Sequence, residues 1–455
     1  MEKTQVLEAV VGLQWGDEGK GKIVDERVAY AKSLDDGKRT VVVRFQGGSN
    51  AGHTILARGP LGELNQIVTH SASCGLASNS DIAIGPSVAF NPLAFVGELD
   101  SAVQNLGYKG RVLISNRVGV LLDYHILLDS HAEENRLSSV GSTKQGIGPF
   151  YECNAGRTPR LTFKDYLSQR FPTKLREVLS LKRGELESAG LWRDDLHEEI
   201  VEKNESARNR LRSFGEDLED RLYEYFQRGN HIIIEGAQGT GLDVDMGDIP
   251  YTTSSHLLAP HAFPSLGLPR KAFRILGVEK IYPTRVGLGG LPSLTDDSFA
   301  DIGKNAGEVG ATTGRMRRVG YPDWAFIKRA ARLNECDGII LTRADNVQDV
   351  KIKVCMGYND KESSLVNGVP CSLTGMKAIY GQERYKWHLW DGPKDLSNPL
   401  AVDEILRSVR ADYVRNGLKG LPSRLRDFVE DHDNFVECET VGISIGPSRG
   451  ETIYF

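Results

Sequence analysis

The chain predicts an α/β fold: one large, mostly parallel central sheet carrying a P-loop-like nucleotide site, with peripheral helical and small β subdomains. Three observations predict it. Apolar, β-branched runs recur at Val6–Leu13, Thr40–Phe45, Ile232–Ile234 and Gly338–Thr342, without the alternation expected of a sheet with one wet face. Each run ends in a glycine-rich polar turn, and between the runs lie stretches with apolar residues at helical spacing. With 455 residues, 40% hydrophobic and 26% charged, the chain is long enough for one domain spanning 1–455. Within it the composition marks a helical block at 164–228, a mobile loop at 292–318 and a peripheral region at 351–435. A net charge of −5 with mixed signs gives no basic surface for nucleic acid. No apolar run approaches the roughly 18 residues of a membrane span, and no leader pattern opens the chain, so a cytoplasmic protein is expected. The six cysteines are scattered without metal-ligand spacing, as reduced, mostly buried thiols would be.

Taken in order, the first strand (VLEAVVGL) feeds QWGDEGKGK, Gln14–Lys22, which opens a helix. Such a turn aims backbone amides and the positive end of a helix dipole at one point, where a phosphate fits. Gly16, Gly21 and Lys22 match G-x-x-x-x-G-K, but Ile23 stands where the metal-binding hydroxyl usually is. The metal ligand must then lie elsewhere, and Asp17 is the nearest hard oxygen donor. The second strand, Thr40–Phe45, ends in QGGSNAGHT, where Asn50, His53 and Thr54 supply polar tips and His53 suits a general acid or phosphoryl donor. Ile82–Ile84 and Val112–Ile114 read as short strands. Leu121–Leu128 fits strand or helix, with His125 in the core. Ser142 and Thr143 lie in a glycine-rich loop that is either a second anion site or a plain surface turn.

Lys164–Arg228 reads as solvated helices. After Ile232–Ile234 comes another glycine turn with Gln238 as a base-edge reader, then Asp243, Asp245 and the hydroxyl cluster Tyr251–Ser255. Arg274–Ile281 is a strand leading to PTRVGLGGLP. Pro292–Gly310 has the length and composition of a lid, and it runs into ATTGRMRR, whose arginines match carboxylates. Arg343 and Asp345 follow the strand Gly338–Thr342, and a carboxylate there pairs with the two adjacent donors of guanine. In Lys351–Phe435, Glu383–Tyr385 and Pro393–Asp395 read as surface loops and Trp387 and Trp390 as packing residues. A last strand ends in the turn Ser444–Pro447.

The segments QWGDEGKGK, FQGGSNAGHT, GIGPFYE, EGAQGTGLDVD, YTTSS, TRVG, GATTGRMRR and ISIGP, in this order, resemble the adenylosuccinate synthetase family. The resemblance runs from Val6 to the C-terminus and is looser in 164–228 and 351–435. It implies a ligase of purine biosynthesis that joins L-aspartate to IMP with GTP and Mg²⁺, giving adenylosuccinate, GDP and phosphate through a 6-phosphoryl-IMP intermediate. It implies Asp17 as base and His53 as acid, with Mg²⁺ on Asp17 and the main-chain oxygen of Gly52. GTP contacts would come from Gly16, Asp17, Glu18, Gly19, Lys20, Gly21 and Lys22, from Gly52, His53 and Thr54, and from Arg317, Arg343, Ala344, Asp345, Ser444, Ile445 and Gly446. IMP contacts would come from Asp17, Lys20, Asn50, Ala51, Gly52, His53, Thr143, Gln238, Thr253 and Arg315, with Arg157 reaching the partner's IMP phosphate in a homodimer with shared sites. Ala311, Thr312, Thr313, Gly314, Arg315, Met316 and Arg317 would take aspartate. This sequence departs from the family pattern at Arg343 (for Lys), Met316 (for Arg), Met246 (for His) and Lys144-Gln145 (for Gly-Arg), and Lys32–Lys38 resembles a small insertion. Two alternatives stand beside the ligase: a relative acting on another purine monophosphate such as dGMP, against which Asp17 speaks, or using ATP, a choice that Arg343 in place of lysine leaves open, and a GTP-binding switch, against which the arginine-rich loop speaks.

Overall fold

Strands covered on both faces need no polar alternation, and the described strands assemble that way. The computed structural model describes residues 5–58, 64–137, 139–157, 159–295, 302–303, 307–308, 316–347, 350–360, 365–366, 369–370, 372–381, 385–386 and 417–455. Ten described strands form the main sheet: β1 (Leu7–Gly12), β2 (Thr40–Arg44), β3 (Asp81–Ile84), β4 (Val112–Ser115), β5 (Gly215–Glu216), β6 (His231–Glu235), β7 (Arg274–Lys280), β8 (Gly338–Thr342), β9 (Thr440–Ser444) and β10 (Thr452–Tyr454). Their order is β10-β9-β8-β7-β1-β6-β2-β3-β4-β5, and every pair is parallel except β9–β10. Six neighbours, β9 through β2, therefore end on one edge, and their turns converge there.

Successive side chains of a strand point to opposite faces, and both faces are filled. Val10 of β1 and Ile233 of β6 pack under Ile23, Val24 and Val28 of helix α1 (Lys20–Ser33). Ala9, Val11, Ile232 and Ile234 pack on the other side against Leu218, Leu222, Ala262 and Phe263. The helix α1 starts at Lys20, three residues before its first apolar residue, so the lysines of the phosphate turn belong to its first turn. Gly19 precedes it at φ 90°, a conformation that favours glycine.

The ambiguous run at Leu121 resolves as a helix, Asp123–Asn135, with His125 buried and its Nδ1 accepting the Leu122 N–H at 3.0 Å. Residues 163–227 hold four helices, Phe163–Leu167, Phe171–Ser188, Leu196–Leu211 and Leu218–Gln227, and the edge strand β5 emerges between the last two. A hairpin, His53–Arg58 with Leu64–Thr69, stands outside the main sheet and was not expected from the sequence. Ser423–Val436 packs on the helix Trp324–Asn334, with the rings of Trp324 and Phe428 5.3 Å apart. Tyr385, expected in a surface loop, is instead buried: it bridges Ile352, packs 5.2 Å from Phe428 and donates its hydroxyl to Asp431 at 2.7 Å. Trp387, Trp390 and Pro393–Asp395 lie outside the described residues.

The far end of the sequence grips α1. Arg449 forks onto Asp25, the Gly450 N–H donates to Glu26 at 2.9 Å, and the Tyr454 hydroxyl donates to Glu26 at 3.1 Å. Cys74, Cys153, Cys336, Cys355 and Cys438 are free thiols, and no described helix is long and apolar enough to cross a membrane.

Candidate active site

The converging strand ends enclose a cavity of about 850 Å³. The turn after β1 forms its floor. Glu18, fully buried, accepts the Gln14 and Gly16 N–H groups at 3.1 and 2.9 Å and pairs with Lys20, so this carboxylate shapes the loop from inside. Gly12 and Gly239 have no room for a side chain against it: a Cβ on Gly12 would lie 2.6 Å from both Glu18 Oε2 and the Gln238 carbonyl. Across the sheet, the Thr342 hydroxyl at the end of β8 donates to the Glu18 carbonyl at 2.7 Å. Asp17, left at the rim of the turn with φ 62°, points its Oδ2 at Arg317 Nε, 2.8 Å away.

The turn after β2 and the hairpin that follows bring His53 to the same cavity. Its Nδ1 lies 2.5 Å from Glu235 Oε1 at the end of β6. Glu235 has no exposed surface, and its other oxygen accepts the Cys74 N–H at 2.7 Å, while Arg44 Nη1 stands 3.7 Å from Oε1. Burial pushes the His53 ring below its ordinary pKa against the pull of Glu235. Burial alone would raise Glu235, but the His53 ring, Arg44 and the Cys74 N–H hold it below its ordinary value. With Nδ1 taken by a carboxylate, Nε2 is the ring atom left for a ligand.

Two amide side chains face the cavity with polar atoms that nothing in the described chain satisfies. Gln238, at φ 52°, leaves both Oε1 and Nε2 buried without a partner. Asn50 donates to the Thr253 hydroxyl at 3.2 Å and leaves its Oδ1 likewise buried. Because an unsatisfied buried polar atom costs about 1–3 kcal/mol, such a pair marks a place for a hydrogen-bonding ligand. The loop Val140–Gly146 closes the wall. Its Ser142 donates to Asp129 at 2.8 Å, and Asp129 also accepts the Gly146 N–H at 2.8 Å.

Of the residues singled out in the sequence, Gly16, Asp17, Gly19, Lys20, Gly21, Asn50, Ala51, Gly52, His53, Thr54, Thr143, Gln238, Thr253, Arg317 and Arg343 line this cavity. A second group gathers beside it on the ends of β8 and β9. Lys22 donates to the Gly446 carbonyl at 2.7 Å and to Ser444, and the Ala344 N–H donates to the Ser444 carbonyl at 3.2 Å. Asp345 sits there too, with burial pushing its carboxyl up. Arg157, at φ 66°, is exposed and away from the cavity of its own chain. Met316 is exposed, and Ala311, Thr312, Thr313, Gly314 and Arg315 lie outside the described residues.

Sequence reasoning missed Glu235, Lys280, Tyr282, Asp248, Arg285 and Glu308. Arg285, buried, pairs with Asp248 at 2.6 Å and donates to the Tyr251 and Gly290 carbonyls at 3.0 and 2.7 Å, which fixes two walls of the cavity to each other. The one signal for Glu235 was its place at the carboxyl end of a strand; the others have partners far away in sequence. Asp243 serves the loop rather than a ligand, accepting the Asp245, Met246 and Leu257 N–H groups.

For a hard divalent cation the donor chemistry fits: the Asp17 carboxylate and the Gly52 carbonyl are oxygen donors on one cavity. The buried cluster His53, Cys74 and Glu235 also brings ligand atoms within 4.8 Å of one another, but its thiol and imidazole are not what Mg²⁺ selects.

Comparison with known proteins gives a consistent picture. The family model described as adenylosuccinate synthetase matches residues 9–453. Adenylosuccinate synthetases of Geotalea uraniireducens (strain Rf4) and Anaeromyxobacter sp. (strain Fw109-5) are similar to this chain at 35% and 34% identity, over 98% of it and 97% of each of them. The solved structure of fully ligated adenylosuccinate synthetase from Plasmodium falciparum superposes with a TM-score of 0.82 at 25% identity, covering 99% of both chains. The cyanophage S-2L succinoaminodeoxyadenylate synthetase bound to dGMP and dATP shares the fold, at 18% identity and a TM-score of 0.58 over 99% of this chain and 95% of that one.

Proposed function

The chain belongs to the adenylosuccinate synthetase family of ligases, and from that premise we propose that it joins L-aspartate to IMP at the expense of GTP. The observation that carries the reading is one cavity holding a phosphate-type turn, a carboxylate at its rim, the Gln238 amide with both polar atoms buried and unpartnered among the described residues, and the Asn50 Oδ1 likewise. The amides would take the purine and ribose of IMP, with Thr253 and Thr143 beside them. The 6-oxygen of IMP is a poor leaving group, so it must first become a phosphate ester. Asp17 takes the N1 proton, the electron pair moves to O6, and O6 attacks the γ-phosphorus of GTP as the bond to GDP breaks. The aspartate amine then adds at C6, the C6–O6 bond breaks with its electron pair leaving on phosphate, and the amine gives up one proton to the departing phosphate.

His53 stands by the transferring group. Its Nδ1–H stays on Glu235, and an anionic phosphoryl oxygen at Nε2 favours a second proton there, against the effect of burial. Asp17 and the Gly52 carbonyl would hold Mg²⁺, which supplies charge neutralisation to the phosphates. On the β8–β9 side, Asp345 offers a carboxylate to the N1–H and N2–H of guanine, with Arg343 and Ser444–Gly446 around the base. Arg157, exposed and outside its own chain's cavity, would serve a second copy in a homodimer, and the family reading puts the protein in the cytoplasm.

The test is direct: IMP, L-aspartate, GTP and Mg²⁺ with the purified protein, followed by the absorbance change of the purine. Product formation is expected. No turnover with IMP but turnover with dGMP would replace the reading by its relative, and equal rates with ATP would remove the role of Asp345 as a guanine reader.

A further inference from the structure

Arg317 is held between two carboxylates. Its Nε lies 2.8 Å from Asp17 Oδ2 at the cavity rim as an ion pair without hydrogen-bond geometry, and its Nη1 meets Glu308 at 2.5 Å. Glu308 does not line the cavity and has no exposed surface. It receives Lys280 Nζ at 3.1 Å on both oxygens and the Tyr282 hydroxyl at 2.8 Å, and its carbonyl accepts the Arg317 N–H at 3.0 Å. Lys280 is fixed in turn: its ammonium donates to Thr284 at 2.8 Å, and its backbone exchanges hydrogen bonds with the Gln14 side chain at 2.7 and 3.1 Å. The cluster is thus rooted in the end of β7 and in the start of the phosphate turn. Burial pushes Lys280 down to about 8, while Lys280 and Arg317 overcome the effect of burial on Glu308 and hold it at about 2.

We propose that Glu308 is a positioning residue that fixes the Arg317 guanidinium at the cavity rim, so that Asp17 can leave it for the purine and the metal without Arg317 following. This rests on the ligase reading above. The charge balance is what makes Glu308 matter: three cations, Lys280, Arg317 and Arg343, act on this one buried carboxylate, and Lys280 and Arg317 also feel Asp17. Neutralising Glu308 removes the anion the three share and leaves Asp17 to attract Lys280 and Arg317. Arg317 then loses its second anchor and closes on the carboxylate that must do the chemistry.

The experiment compares wild type, Glu308→Gln, Arg317→Leu and the double variant in steady-state ligation, with a thermal melt of each. Glu308→Gln is expected to lower kcat at saturating IMP, GTP and aspartate by about 10²-fold, the usual cost of misplacing a group by an ångström, with the KM for IMP changed less than about threefold. In the Arg317→Leu background the same substitution should change kcat by less than about threefold, because its effect passes through the missing side chain. Glu308→Asp should recover part of the loss. Effects that multiply in the double variant, or a Glu308→Gln enzyme with wild-type kinetics, would overturn the proposal. If Glu308→Gln does not fold, Tyr282→Phe removes one donor from the same carboxylate; a few-fold loss in kcat with the KM for IMP kept is expected, and unchanged kinetics would overturn the proposal. A wild-type chain that performs no ligation removes the ligase reading and this proposal with it, whereas a normal variant beside an active wild type removes the positioning role alone.

Discussion

Asp17→Asn separates chemistry from architecture. The residue stands at φ 62°, and asparagine is among the side chains that tolerate this region best, so the backbone keeps its course. The pair with Arg317 is lost, but the Asp17 side chain is 28% exposed and Arg317 keeps Glu308. A partly screened pair of this kind contributes about 1 kcal/mol, and in a chain of this size the melting temperature should fall by no more than about 4 °C. The rate should behave otherwise. Removing a general base costs about 10²–10⁴-fold, and asparagine also binds a hard cation more weakly than a carboxylate. The assay is the purine absorbance change under saturating IMP, GTP, aspartate and Mg²⁺, alongside a melt and a calorimetric IMP titration. Turnover within about threefold of wild type would place the base elsewhere. A melting temperature lower by more than about 10 °C, with activity lost in step, would make Asp17 a structural residue instead.

Gln238→Ala should raise the KM for IMP about tenfold, with the KM for GTP nearly unchanged, since its two buried amide atoms face the cavity from the β6 side; equal effects on both nucleotides would count against the assignment. Gly12→Ala puts a Cβ 2.6 Å from Glu18 and from the Gln238 carbonyl, so it should weaken both nucleotides together and lower the melting temperature, and an unaltered GTP titration would show that the turn can relax. His432 gives the pH dependence. Burial pushes its ring down, but Glu279, 2.9 Å from Nε2, and Asp433, 3.0 Å from Nδ1, lift it to about 9. A folded pKa above the unfolded value of about 6.5 stabilises fully below pH 6.5, and that stability is lost as pH rises through 9, an effect of order 3 kcal/mol. Denaturant midpoints measured from pH 6 to 9.5 should fall in wild type and flatten in His432→Gln; parallel curves would refute the assignment.

Which parts of this molecule could be read from the sequence follows from where each signal resides. β1, β2, β6 and β8 were legible because a strand buried on both faces must be a continuous apolar run, and their turns were legible because phosphate-type loops need glycine at fixed spacing. The run at Leu121 was not decided by periodicity, since short apolar segments fit either period; its helix is settled by packing. The hairpin after Gly52 escaped because its residues carry the polar and histidine signals of a site. Tyr385 looked exposed among charged neighbours, yet its burial depends on Phe428 and Asp431. The pairs that hold the site, His53 with Glu235, Arg285 with Asp248 and Thr342 with Glu18, span 182, 37 and 324 positions, and no local pattern announces a contact at such separations.

The clasp on α1 has a consequence for how the protein comes into being. Asp25 finds Arg449, and Glu26 finds Tyr454, across 424 and 428 positions of chain. Synthesis runs from the amino end at about 5–20 residues per second, so the helix that carries the phosphate turn waits some tens of seconds for the residues that steady its outer face. During that interval the other walls of the cavity, from Gln238 to Arg343, are made in turn, so the helix meets its pocket partners before it meets Arg449 and Tyr454.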